Sequence, residues 1–160
     1  MCFTTRFSSF VCEGDSLSCD LAGFEINARI ERDDCGDAPD VRQDGFWPSL
    51  YKDAPGYIGP GNNFRKRFAK AHAKAEAVME AWRKDEWFYC GIVLSVAIDG
   101  VELDSHAASL WGVEANYPDS FTCYLTEVAN QLLPEALATG RAILTRLADR
   151  AAALGDGASP

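Results

Sequence analysis

Six cysteines (Cys2, Cys12, Cys19, Cys35, Cys90 and Cys123) and two histidines (His72 and His106) bound the nucleophilic and transition-metal chemistry open to this chain. A catalytic thiol needs an exposed, electropositive setting with a histidine in reach. Cys90 sits instead on the apolar face of "DEWFYCGIVLSVAIDG", just after Asp85 and Glu86, and reads as a buried small hydrophobe. Cys123 falls in the first turn of an expected helix, where a thiol can be activated. No local nucleophile signature joins it to His106, so no catalytic residue is assigned. The cysteines lack CxxC spacing and the histidines lack HxH or HxxxH spacing, so no metal and no cofactor is expected. Asp33, Asp34, Asp37, Asp40 and Asp44 lack the spacing of a calcium loop and read as a solvated acidic stretch. A hairpin turning at Gly14-Asp15 would set Cys12 opposite Leu17 and Cys19 opposite Phe10. Six cysteines in 160 residues are also too sparse for a disulfide-built scaffold, so the expectation is free, reduced thiols.

Two charge features are sharper. Gly56, Gly59 and Gly61 lead into a helix whose first turn carries Arg65, Lys66 and Arg67, a candidate anion site at a helix N-terminus. The P-loop pattern is absent and Pro60 removes a donor from the supposed cradle. The second feature is a stretch of 56 residues, between Lys84 and Arg141, without a single Lys or Arg. It contains Asp99, Glu102, Asp104, Glu114 and Asp119, and the net charge of the chain is −9. Such a surface repels nucleic acid and steers basic partners inward, so direct nucleic-acid binding is not expected. These five acids form the candidate partner-binding face. Phe46, Trp47, Tyr51 and Tyr57, in the long loop before the first helix, are candidate apolar anchors, because Trp and Tyr dominate interface hot spots. The plainer reading of Trp47 is that it closes the open face of a sheet.

The elements follow from periodicity. "CFTTRFSSFV" alternates as a strand, and "LSCDLAGFEINARIE" follows as a half-buried strand, with Gly23 a candidate bulge. Residues 32–63 are a Pro- and Gly-punctuated connection whose aromatics argue against disorder. "FRKRFAKAHAKAEAVMEAWRKDE" keeps apolar residues at helical spacing. Residues 88–98 are a strand covered on both faces, Asp99-Gly100 is a hairpin turn into "VELD", and "LWGVEANY" is a further strand. A long helix capped by Asp119 or Ser120 ends the chain, with Pro134 expected to kink it. The sum is an α+β fold in the order β-β-(long loop)-α-β-β-β-α: an antiparallel sheet of about five strands with two long helices on one face. One globular domain over 1–154 with a flexible tail over 155–160 is expected. The 12-residue apolar run from Trp87 to Ile98 is too short for a membrane helix, which needs about 20 residues. The N-terminus has no basic region followed by an apolar one, so cytoplasmic residence is the expectation.

Four strings, "DGFWPSLYKDAPGYIGPG", "AWRKDEWFYCGIVLSV", "LWGVEANYP" and "YLTEVANQLLPEAL", resemble a group of small uncharacterised accessory proteins encoded on plasmids, integrative elements and phages. The resemblance covers roughly residues 10–140. It implies an accessory role against host restriction or CRISPR systems and assigns no residue a function. The leading expectation is a non-enzymatic protein that binds a host protein with a basic surface by nucleic-acid mimicry. The alternative is a small phosphate- or nucleotide-binding protein or enzyme using the Gly-rich approach and Arg65, Lys66 and Arg67. A third class is a homodimer pairing through an exposed sheet face or edge.

Overall fold

Two-residue turns with positive φ at both positions frame the sheet: Ala22-Gly23 (φ 54° and 85°) and Asp99-Gly100 (φ 49° and 74°). This backbone matches the right-handed twist of paired strands. The computed structural model describes residues 2–156. The turns join β1 (Ser16–Leu21) to β2 (Phe24–Arg32) and β3 (Phe88–Ile98) to β4 (Val101–Ala115). The sheet is a four-stranded antiparallel meander in the order β1-β2-β3-β4, not five strands. Helices α1 (Pro39–Arg42), α2 (Phe64–Arg83) and α3 (Cys123–Asp156) complete an α+β fold. Of the tail expected over 155–160, residues 155 and 156 belong to α3, and 157–160 lie outside the described residues.

The missing strand is "CFTTRFSSFV". Phe3, Phe7 and Val11 are buried in the main core, but the segment pairs with no strand. Side chains beyond the sheet satisfy its backbone instead. Asn130 Oδ1 accepts from Cys2 N and Phe3 N, Thr126 Oγ1 accepts from Phe7 N, and Thr122 Oγ1 donates to Ser8 O. Asn116 clasps Val11 through both its N–H and its carbonyl. Residues 2–11 are thus a strap over α3 rather than an edge strand.

That route overturns the thiol expectation. The hairpin turn is Ala22-Gly23, so Cys19 lies in β1 opposite Ile26, and the strap brings Cys2 to it. Cys2 and Cys19 form a disulfide with Cα atoms 6.0 Å apart, while Cys12, Cys35, Cys90 and Cys123 are free. Disulfides persist in oxidising compartments and are rare in a reducing cytosol, which counts against the cytoplasmic expectation. Among the described residues no helix is long and apolar enough to cross a membrane.

"VELD" and "LWGVEANY" are one strand. β4 sets 15 residues against the 11 of β3, and the excess is taken up at register shifts between Cys90/Ile92, Leu94/Val96 and Val96/Ala97. Such bulges break the two-residue alternation that a sequence reading depends on. One of them presses Trp111 flat onto Gly91. A Cβ there would meet the indole at 2.5 Å, so only glycine fits.

The helices do not share a face. Phe88, Cys90, Ile92, Leu94 and Val96 of β3 pack with Leu125, Ala129, Leu133 and Ala136 of α3. Trp87 and Tyr89 point the other way and, with Tyr117 and Phe46, form a second cluster with Val78 and Ala81 of α2. Trp87 Nε1 donates to Val78 O at 2.9 Å, tying α2 to the start of β3. Pro134 removes a hydrogen bond from the ladder of α3 without ending the helix.

Two stability predictions follow from this frame. Ala22→Asn keeps the turn and replaces a residue that pays for its left-handed backbone, so a gain of about 1 kcal/mol, or roughly 2–4 °C in Tm, is expected in thermal melts. Cys2→Ser should lower stability by about 3 kcal/mol in non-reducing denaturant titrations, given the 17-residue separation of the bridge. In reductant the two proteins should unfold together; a persistent gap would mean that Cys2 acts through packing.

Candidate functional site

At the end of the sheet where β3 begins and β4 ends, a cleft of about 540 Å³ opens on the face away from α3. Asp33, Cys35, Arg42, Gln43, Tyr89, Gly112 and Glu114 line it. Each is placed by local structure. Tyr89 and Glu114 are direct partners across β3 and β4, and so share a face. Asp33 extends β2, its N–H donating to Tyr89 O at 2.9 Å. The single turn of α1 returns the chain so that Arg42 lies over the Tyr89 ring, 4.1 Å from its centroid. Gly112 adopts φ 75°, and a Cβ there would meet nothing within 4 Å, so the bulge leaves open space.

The electrostatics divide this cleft. Arg42 Nη1 donates to Asp33 Oδ2 at 3.0 Å, Nη2 donates to Cys35 O at 3.0 Å, and Nε is buried without a partner. The Arg42 hydrogen bond, helped by the Cys35 N–H, holds the Asp33 carboxyl below its usual range against the effect of burial. Burial is the largest single effect on Arg42 and works against its charge, but the hydrogen bond and charge of Asp33, with Cys35, together outweigh it and raise its pKa. Glu114 makes no ion pair among the described residues, and burial pushes its pKa up. Burial, and then the Glu114 charge, raise both Tyr89 and Tyr117.

The five acids proposed as one face lie in two places. Asp99, Glu102 and Asp104 sit at the β3–β4 turn, where Glu102 pairs with Ala97 and Asp104 with Val96. Glu114 pairs with Tyr89 at the far end of the same ladder, and exposed Asp119 follows it in the turn before α3. The register adds two acids that the sequence reading did not include. Glu25 lies opposite Ala97, its carboxylate accepting from Gly100 N at 3.0 Å, and Asp20 pairs with Glu25. No sequence signal short of the strand order identifies them.

Of the loop aromatics, only Tyr51 projects, at 81% exposure. Phe46 packs in the second cluster, and Trp47 donates to Asp40 Oδ2 and stacks on His72, with ring centroids 5.5 Å apart. Tyr57 is half-buried, and its backbone bridges to Ser49. Arg65 and Lys66 are exposed, but Arg67 turns inward and donates to the carbonyls of Ile58, Gly59, Gly61 and Asn62. The Gly-rich approach therefore gathers acceptors around a cation, the reverse polarity of a phosphate cradle.

Cys90 is fully buried, and burial pushes its thiol up to about 12, which leaves it inert. His106 contacts Ser105, Arg29 and Glu31 in mid-sheet, whereas Cys123 opens α3 with its thiol on Phe121 O, so no Cys–His pair forms. Among the described residues no three His, Cys, Asp or Glu side chains converge as a metal site requires. Comparison with family models, with curated proteins and with solved structures found no match.

Glu114 makes a pH-dependent prediction. A carboxyl whose folded pKa lies above its unfolded value contributes stability that is fully present below the unfolded value and lost as pH rises through the folded one. Glu114→Gln, which mimics the neutral form, should therefore melt higher than the parent above about pH 7. The difference should close towards about pH 4. Equal melting temperatures across that range would show that the carboxylate is fully solvated.

Proposed function

We propose that the protein is a non-enzymatic binding protein whose acidic sheet end occupies a basic, nucleic-acid-binding surface on another protein. In keeping with the resemblance to mobile-element accessory proteins, the partner class is a host defence nuclease or its DNA-binding subunit. The observation that carries this reading is the register. It gathers Asp20, Glu25, Asp99, Glu102 and Asp104 at the two turns, and none of them makes an ion pair among the described residues. Val101, 62% exposed between these acids, supplies an apolar contact. Glu114 and Asp119 lie away from this end and drop out of the proposed surface.

Gly140 of α3 packs on the Phe24 ring, and Arg141, Arg146 and Arg150 follow it along the helix, with Leu144 still against the core. None of these arginines pairs with the five acids among the described residues. Mimicry works by competition: carboxylates replace phosphates on Lys and Arg side chains, so the complex weakens as salt rises.

The test is anisotropy of the labelled protein titrated with a purified restriction or CRISPR nuclease, with and without duplex DNA. DNA should displace the protein. The triple variant Asp99→Asn/Glu102→Gln/Asp104→Asn should bind at least about tenfold more weakly, with a shallower salt dependence. Binding that ignores both DNA and these substitutions would rule the surface out.

A further inference from the structure

The cleft at the other end of the sheet has an unbalanced charge and a shape suited to correcting it. Its charged lining groups are two carboxylates and one guanidinium, and Arg42 and Asp33 already cancel each other at 3.0 Å. Both oxygens of Asp33 are engaged, one by Arg42 and the other by Cys35 N. The Glu114 carboxyl makes no hydrogen bond or ion pair among the described residues, yet the residue is half-buried beside the buried Tyr89 ring. A carboxylate partly removed from water without a cation or donor is a costly arrangement. We propose that this cleft binds a small organic monocation, with an ammonium or guanidinium head group paired to Glu114.

The rest of the lining supports that ligand and disfavours others. Arg42 is pinned by two hydrogen bonds and by stacking on Tyr89, so one wall is rigid before anything binds. Gln43 supplies an amide at the rim, and Gly112 leaves room for the body of the ligand. An anion would face Glu114 while Arg42 spends its terminal nitrogens on Asp33 and the Cys35 carbonyl. A divalent metal would find one available carboxylate, too few for a hard cation. Arg42 already covers one face of Tyr89, which leaves Glu114 as the recognition element for positive charge.

This site does not depend on the acidic end of the sheet, and the experiment separates the two. Calorimetric titration at constant ionic strength uses methylamine, benzylamine and guanidinium chloride as probes. Amide shifts are followed by NMR on the same protein. The expected result is saturable binding of at least one probe at a single site, with shifts centred on Tyr89, Gly112 and Glu114. Glu114→Gln should weaken that binding at least about tenfold, while Asp99→Asn/Glu102→Gln should leave it within about twofold. A thermal melt of Glu114→Gln confirms folding, and the shift map on the parent protein needs no variant. Shifts confined to the β3–β4 turn, no saturation with any probe, or undiminished binding by a folded Glu114→Gln would each overturn the assignment.

Discussion

A strand buried on both faces needs two independent covers, and β3 is such a strand. From Phe88 to Val96 every residue is buried except Ser95, which is half-buried. On one side Cys90, Ile92, Leu94 and Val96 are sealed by α3. A slip of one residue would exchange the two sets, so the register is strongly specified. One helix is narrower than a four-stranded sheet, and the strap of residues 2–11 supplies the missing width. Phe3, Phe7 and Val11 fill the core that α3 leaves open, held by Thr122 just before that helix and by Thr126 and Asn130 in its first turns. The disulfide from Cys2 to Cys19 fixes this strap to the outermost strand.

The second cover is less regular, and it positions the cleft. α2 meets the sheet only at its beginning, through Trp87, Tyr89 and Tyr117. Further along, β4 covers its own neighbour: the bulge turns Trp111 back over Gly91. The same irregularity gives Gly112 its left-handed backbone and opens space beside Glu114. The excess residues of β4 thus protect the central strand at one point and leave a recess at the next. Bulges re-aim side chains in this way without altering strand order.

The elements legible in the sequence are those whose pattern is local. Phe24, Ile26, Ala28 and Ile30 alternate as written, and the apolar run of β3 and the stripe of α3 appear at the expected positions. Asp99-Gly100 is the turn its composition announces. What was not legible depends on partners distant in the chain. Phe3, Phe7 and Val11 belong to an alternating string, yet their backbone is satisfied by side chains more than a hundred residues away. Ala22 disguises a turn because its side chain gives no hint of a positive φ. Asp33 reads in the sequence as part of a solvated acidic stretch, and only the turn of α1 brings Arg42 onto it. Glu114 was read as part of a surface because sequence alternation reports which face a residue is on, but not what encloses it.

The cations that do pair spend their charge elsewhere than at the turns. Arg29 goes to Glu31, Arg32 to Asp85, Arg42 to Asp33, and Arg83 and Lys84 to acids of α2 itself. The acids at the turns make no ion pair among the described residues, and all but the half-buried Asp104 are exposed. Salt screens such charges over about 8 Å at physiological ionic strength, so they influence a partner only at close approach and only as a group. Glu114 is the opposite case: a single charge, partly shielded from water, where one complementary ion has a larger effect because screening is weaker. The long register of β4 is what keeps these two kinds of negative charge at opposite ends of the same ladder. A partner gripping the turns and a ligand in the cleft would therefore engage the same strand without competing for the same residues.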